Sequence, residues 1–168
     1  MTISFDALGV APDLCAALAE EGKTHAFAIQ EIAIADALAG RDVCGKAKTG
    51  SGKTLAFGLP VLQTVKTAEP RKPRSIILVP TRELATQVRE ELAPIGATRD
   101  IKLAAIYGGA DIEKQINKLK AGVEVVVATP GRMIDLIDRK ELDLSDVGIV
   151  VLDEADRMAD MGFMPQVE

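Results

Sequence analysis

Tryptophan is absent from the 168 residues, tyrosine and histidine occur once each, and cysteine only twice. Aromatic residues amount to 3%, too few for a surface on which many bases stack in succession. Cys15 and Cys44 stand far apart in the chain. Two thiols so spaced make neither a metal cluster nor a disulfide framework, and they read as small buried hydrophobes. His25 has no sequence partner for a metal site or a nucleophile relay and reads as a surface or capping side chain. Long apolar runs are missing as well. Thr54 to Val65 carries no formal charge but contains Gly58 and Pro60, and it falls short of the roughly 18 apolar residues a membrane span needs. The start, Met1-Thr2-Ile3-Ser4-Phe5-Asp6, has neither the basic residues nor the apolar core of a secretory signal, which predicts a cytoplasmic protein. Nor is there a basic surplus. A net charge of −5 excludes a protein that coats nucleic acid by bulk charge. The charge is uneven, however. Residues 51–100 hold eight Lys/Arg against five Asp/Glu, and residues 151–168 hold one against five.

Hydrophobic residues make up 48% and charged residues 27%, the composition of one ordinary globular domain. Short apolar runs recur: Asp42 to Gly45, Ser75 to Val79, Lys102 to Tyr107, Glu124 to Ala128 and Gly148 to Leu152. Continuous rather than alternating, they predict strands buried on both faces. Helical spacing lies between them: Leu84, Val88 and Leu92 in Arg82–Ala93, Ile112, Ile116 and Leu119 in Asp111–Leu119, and Met133, Leu136 and Ile137 in Arg132–Arg139. Residues 67–74 read as an exposed connection. Strand–helix alternation predicts an α/β fold, a parallel sheet with helices on both faces. In such sheets ligands bind beyond the carboxyl ends of the strands. Thr49-Gly50, Pro80-Thr81-Arg82, Gly108-Gly109, Thr129-Pro130-Gly131-Arg132 and Asp153-Glu154 each follow an apolar run, so one functional edge is the economical reading.

Ala47-Lys48-Thr49-Gly50-Ser51-Gly52-Lys53-Thr54 is the strongest local signal. Gly50 and Gly52 let the backbone curl so that several N–H groups face one point, and the following helix adds its positive end. Lys53 can reach the β and γ phosphates of a nucleotide, and the Thr54 hydroxyl can hold Mg²⁺. The strict phosphate-loop pattern has Gly where this chain has Ala47. A Gly-rich turn that merely caps a helix is the plain alternative. Ile149 to Glu154 then sets two carboxylates at a strand tip. In metal-assisted phosphoryl transfer one such group, Asp153, holds Mg²⁺ through water, and the next, Glu154, orients the attacking water. Acids that complement a helix dipole are the plain alternative there.

Asp153-Glu154-Ala155-Asp156, with Val151-Leu152 before it and Arg157-Met158 after it, resembles the signature of the DEAD-box RNA helicases. Ala47 to Thr54 is similar to that family's phosphate loop, which begins with Ala. Pro80 to Ala85, Gly108-Gly109 and Thr129 to Arg132 stand in the family's order and approximate spacing, and the resemblance runs from Phe5 to Phe163. It implies a RecA-like P-loop NTPase domain, with residues 1–168 forming most of the first of two such domains and the second absent. It also implies that a Ser-Ala-Thr strand, which would lie centrally in the sheet, is missing, and that these residues alone hydrolyse ATP weakly or not at all. The resemblance assigns adenine stacking to Phe5 and adenine hydrogen bonding to Gln30. Ala26 and Phe27 stand where the family usually has Pro-Thr, which bears on how Gln30 reads the base. It assigns ATP and Mg²⁺ as cofactors, and Lys53, Asp153 and Glu154 as catalytic. It gives Pro80, Thr81, Arg82, Gly108, Gly109, Thr129 and Arg132 to sequence-independent contact with the RNA backbone, and Asp156 to coupling between domains. The implied function is ATP-dependent RNA unwinding by the whole protein, with a nucleotide- or RNA-binding module lacking turnover as the alternative. Another P-loop class, such as a nucleotide kinase, has no use for the motifs at Pro80 and Thr129.

Overall fold

The computed structural model describes residues 4–23, 25, 26, 30, 34, 37, 38 and 53–153. The predicted strand at Asp42–Gly45, and with it the expected gap beside that strand, lies outside the described residues. The chain divides into two compact units. One comprises Met1–Thr64 and Pro94–Asp100, the other Val65–Ala93 and Ile101–Glu168.

In the first unit, α1 (Pro12–Glu20) starts with Pro12 in its first turn, where the missing N–H costs nothing. It buries Leu14 and Leu18. Helix α2 (Lys53–Thr64) buries Leu55, Leu59 and Leu62, one stripe at helical spacing. Gln63 ties the chain before α1 to α2, accepting from the Ala11 N–H at 2.8 Å and donating to the Gly9 carbonyl at 3.1 Å. Arg99 grips both carboxylate oxygens of Asp13 at 2.6 and 3.0 Å and donates to the Gln63 carbonyl at 2.9 Å. The Arg99 hydrogen bond holds the Asp13 carboxyl below its ordinary pKa. A depressed folded pKa contributes stability that is full above the unfolded value, ~3.9, and is lost as pH falls through the folded one. Asp13→Asn is therefore expected to cost up to about 1 kcal/mol at pH 7 and almost nothing near pH 2, because this half-exposed pair is screened by solvent; denaturant melts at the two pH values check it. Cys15 is half-buried rather than fully buried; its thiol lies 3.4 Å from the Val10 carbonyl, and burial raises its pKa. His25 is exposed and bridges Ser4 in a short antiparallel pairing.

The second unit holds a sheet of β1 (Ser75–Leu78), β2 (Leu103–Ile106), β3 (Val125–Ala128) and β4 (Ile149–Leu152), all parallel, in the order β2-β3-β1-β4. Helix α3 (Arg82–Ala97) follows β1, α4 (Ile112–Lys120) follows β2 and α5 (Pro130–Asp138) follows β3. Parallel crossovers are right-handed. The step from β1 to β2 runs one way along the sheet, whereas the steps from β2 to β3 and from β3 to β4 run the other way. Hence α3 covers one face and α4 and α5 the opposite face. On the α4/α5 face Ile76, Leu78, Ala104, Ile106, Val126 and Ala128 pack with Ile116, Leu119, Met133 and Leu136 in one core. The alternate residues Ile77, Leu103, Ala105, Val125 and Val127 are buried on the other face, where Arg89 of α3 donates to the Leu103 carbonyl at 3.1 Å.

Three strands are buried at every position, as their apolar runs predict, but β4 is not. Val150 is 60% and Leu152 42% exposed. Among the described residues β4 pairs only with β1, and one of its faces is open. The run 67–74 is also more than a loose connection. Its backbone is pinned where Ala68 N–H donates to Glu124 Oε2 at 3.0 Å and where Arg74 and Ser75 N–H donate to the Glu124 carbonyl at 2.9 and 3.0 Å. Helix α3 runs on through Pro94 to Ala97. Proline's fixed φ suits a helix, and the carbonyl of Glu90 that loses its partner belongs to an exposed residue, open to water.

Candidate functional site

The strands lie flush. Leu78, Ala128, Ile106 and Leu152 are paired across one row, so all four strands end at one edge. The ladder continues one residue beyond β1, β3 and β4. Val79 N–H donates to the Ala128 carbonyl at 3.0 Å, Thr129 N–H to Ile106 at 3.0 Å and Asp153 N–H to Leu78 at 2.9 Å. These bonds bring Pro80-Thr81-Arg82, Gly108-Gly109, Thr129-Pro130-Gly131-Arg132 and Asp153 to the same side of the sheet.

An open cleft of about 460 Å³ lies there, lined by Pro80, Arg82, Gly108, Thr129, Gly131, Arg132 and Asp135. Pro80 is buried, and the Thr81 hydroxyl caps α3 by accepting from the Leu84 N–H at 3.3 Å. Arg82 is exposed, and its 3.5 Å pairing with the neighbouring, equally exposed Glu83 is a screened surface contact of little energy. The turn after β2 brings Gly109 to φ +83°, a conformation that strains any residue with a Cβ. A Cβ there would lie 3.4 Å from Arg82 Nη1. Arg132 is half-buried and donates through Nη1 to the Ala110 carbonyl at 3.3 Å and to Gln115 Oε1 at 3.0 Å. Asp135 brings negative charge to the cleft wall, offset by Arg139 at 3.1 Å one turn on.

The helix starts differ in charge. Helix α4 is capped by Asp111, whose Oδ1 accepts from the Glu113 N–H at 2.9 Å, and it carries Glu113 in its first turn. Helix α5 has Thr129 at its cap position with no side-chain cap bond, no acid in its first turn, and Arg132 instead. Its dipole and its arginine add, making the α5 end of the cleft electropositive.

The nucleotide-loop residues fare differently. Ala47, Lys48, Thr49, Gly50, Ser51 and Gly52 lie outside the described residues, as do Glu154 and Asp156. Lys53 is the first residue of α2 and Thr54, half-buried, the second. Both belong to the first unit, while Asp153, 6% exposed, belongs to the second. Phe5 and Gln30 are buried at 2% and 1% exposure, so adenine stacking requires the Phe5 ring to be uncovered. Among the described residues no three His, Cys, Asp or Glu side chains cluster to hold a metal. Gln115, central to the cleft's hydrogen bonding, is not among the residues that sequence reasoning singles out; its only signal is its position, a polar residue on the helix stripe formed with Ile112, Ile116 and Leu119.

Residues 27–168 match the family model described as DEAD/DEAH box helicase, and the chain belongs to that family. It is 47% identical over 166 residues to the DEAD-box ATP-dependent RNA helicase CshA of Streptococcus pneumoniae, covering 99% of this chain and 32% of that protein. It is 45% identical to DEAD-box ATP-dependent RNA helicase 9 of Oryza sativa subsp. japonica, covering 96% of this chain and 26% of that protein. The crystal structure of the RNA helicase Prp28 from Chaetomium thermophilum bound to ADP aligns with a TM-score of 0.90 at 38% identity, over 98% of this chain and 41% of that one. The fold is thus the expected RecA-like α/β architecture, and the chain spans a third or less of the two relatives' length. No helix among the described residues is long and apolar enough to cross a membrane.

Proposed function

We propose that this chain is the ATP- and RNA-backbone-binding part of an ATP-dependent RNA helicase, which unwinds short duplexes by coupling strand deformation to ATP hydrolysis. The observation that carries this reading is the flush strand edge, with two arginines, an uncapped helix start and a glycine turn around one open cleft. Each feature suits a phosphate: arginines supply charge, the α5 start supplies N–H groups, and the glycines permit close approach of a backbone. None of them reads a base edge, so binding is independent of sequence. ATP would be held by residues 47–54, with Lys53 meeting its β and γ phosphates. The Thr54 hydroxyl and, separately, the Asp153 carboxylate are the oxygens this chain would offer to Mg²⁺, and the ion when bound would supply charge neutralisation for the transferred phosphoryl group. Glu154 orients the attacking water, and Asp156 couples the acidic motif to the rest of the machine. In the whole protein a second domain completes the nucleotide and RNA sites.

Titration of uridine and mixed-sequence single strands at several salt concentrations tests the RNA half of the proposal. Arg82→Ala and Arg132→Ala are each expected to weaken binding to all sequences alike. Each should also flatten the slope of log affinity against log salt by about 0.7, one phosphate contact on a single strand. An unchanged slope, or a loss confined to one sequence, would overturn the assignment of these arginines.

A further inference from the structure

We propose that Gln115 is a positioning residue for this edge, holding the Arg132 guanidinium and the Gly108–Gly109 turn in one geometry before RNA arrives. The proposal rests on the RNA-binding reading given above. Gln115 sits on α4 and is 4% exposed. Its Nε2 donates to the Tyr107 carbonyl at 3.0 Å, and its Oε1 accepts from Arg132 Nη1 at 3.0 Å. The same Nη1 donates to the Ala110 carbonyl at 3.3 Å. Tyr107 precedes the glycine turn and Ala110 follows it, so the turn is held at both ends, directly by Gln115 and through Arg132.

The chemistry requires an amide. One end must donate to a carbonyl and the other must accept from a guanidinium. Glutamate would turn an acceptor toward the Tyr107 carbonyl, asparagine is one methylene shorter, and an apolar residue would leave both partners unsatisfied. The network occupies a single nitrogen of Arg132; Nε and Nη2 have no partner among the described residues. A long cationic side chain is thus fixed in the free protein with most of its donors unspent, and the ordering cost of binding falls accordingly. The clamped turn is also the one that Arg82 lies against, since Arg82 Nη1 is 3.4 Å from where a Gly109 Cβ would stand. Both arginines are therefore referenced to one turn that Gln115 holds.

The test follows amide shifts of Gly109 and Gly131 in the 168-residue chain as a uridine decamer is added. Gln115→Leu is expected to weaken binding roughly 5- to 10-fold, the net worth of one ordinary hydrogen bond, because the Ala110 carbonyl still holds part of the Arg132 guanidinium. Made on top of Arg132→Ala, the same change is expected to cost less than about 2-fold, because a residue acting through another loses its effect when that other is gone. Equal losses in both backgrounds, or no loss in the first, would overturn the proposal. If Gln115→Leu does not fold, Gln115→Glu serves instead. It keeps the arginine contact but neutralises it, so weaker binding with a salt slope flatter by about 0.7 is expected, and unchanged affinity and slope would sink the idea. Failure of the unmodified chain to bind the decamer would overturn this inference and the RNA-binding reading together. Normal binding without an effect of Gln115 would overturn this inference alone.

Discussion

Lys53→Ala is expected to weaken nucleotide binding roughly 100-fold while leaving the free protein as stable as before, or slightly more so. Lys53 opens α2, and the first turn of that helix contains no acid. A cation at a helix amino end is repelled by the dipole, an unfavourable term of about 0.3–1 kcal/mol, so without a bound anion its removal relieves the helix. With nucleotide present the balance reverses. Truncating one member of a close, hydrogen-bonded charge pair costs about 2–5 kcal/mol, so a weakening of roughly 100-fold is a conservative expectation. At a nucleotide concentration 100 times the original Kd, ligand contributes about 2.7 kcal/mol to stability; with Kd raised 100-fold the contribution falls to about 0.4 kcal/mol. Thermal melts with and without ATP-Mg²⁺ measure this directly. A nucleotide-induced shift undiminished in Lys53→Ala would remove Lys53 from the phosphate site.

Glu124→Ala is expected to produce the largest loss of stability among single changes at the other end of the sheet. Glu124 is 7% exposed, and it serves three segments at once. Oε1 accepts from the Lys102 N–H at 2.8 Å, ahead of β2, and Oε2 accepts from the Ala68 N–H at 3.0 Å, in the run before β1. Its own N–H donates to the Lys102 carbonyl at 3.1 Å. Hydrogen bonds to a charged group contribute about 1.5–3 kcal/mol each, and a buried donor left unpaired costs a similar amount. Allowing for partial rescue by water, a loss of about 3 kcal/mol follows, or roughly 6–12 °C in melting temperature for a chain of this size. Glu124→Gln should recover little of this, since its amide sets a donor against one of the two N–H groups. A melting point within 2 °C of the unmodified chain would show that Glu124 does not hold this end together. The residue lies at the amino ends of the strands, so RNA affinity of the folded fraction should be unchanged.

These two residues differ in how far the sequence reveals them. Lys53 is legible because the role proposed for it depends on its immediate neighbours in sequence, the glycines before it and the helix that it opens. The same holds for the strands, since a run such as Ile76-Ile77-Leu78-Val79 declares its burial locally, and for Thr129-Pro130-Gly131-Arg132, which reads as a strand end followed by a helix start. Glu124 gives no such sign. It directly precedes the apolar run Val125–Ala128, and a carboxylate there looks like a solvated strand start. Its importance comes from Ala68 and Lys102, 56 and 22 positions away. Gln115 is hidden for the same reason, its partners being Tyr107 and Arg132. The exposed face of β4 contradicts the local pattern outright, because Ile149-Val150-Val151-Leu152 is as apolar as its neighbours and only its place in the sheet distinguishes it.

The amino-acid order alone therefore determined the class of fold, which follows from periodicity and short-range spacing, and the family, which follows from the resemblance of its motifs. Folding in three dimensions decided the strand order β2-β3-β1-β4, the flush register that gathers four strand ends at one edge, and the hydrogen bonds that orient Arg132. Those outcomes depend on crossover handedness and on pairing between distant segments, quantities that no local window of sequence contains.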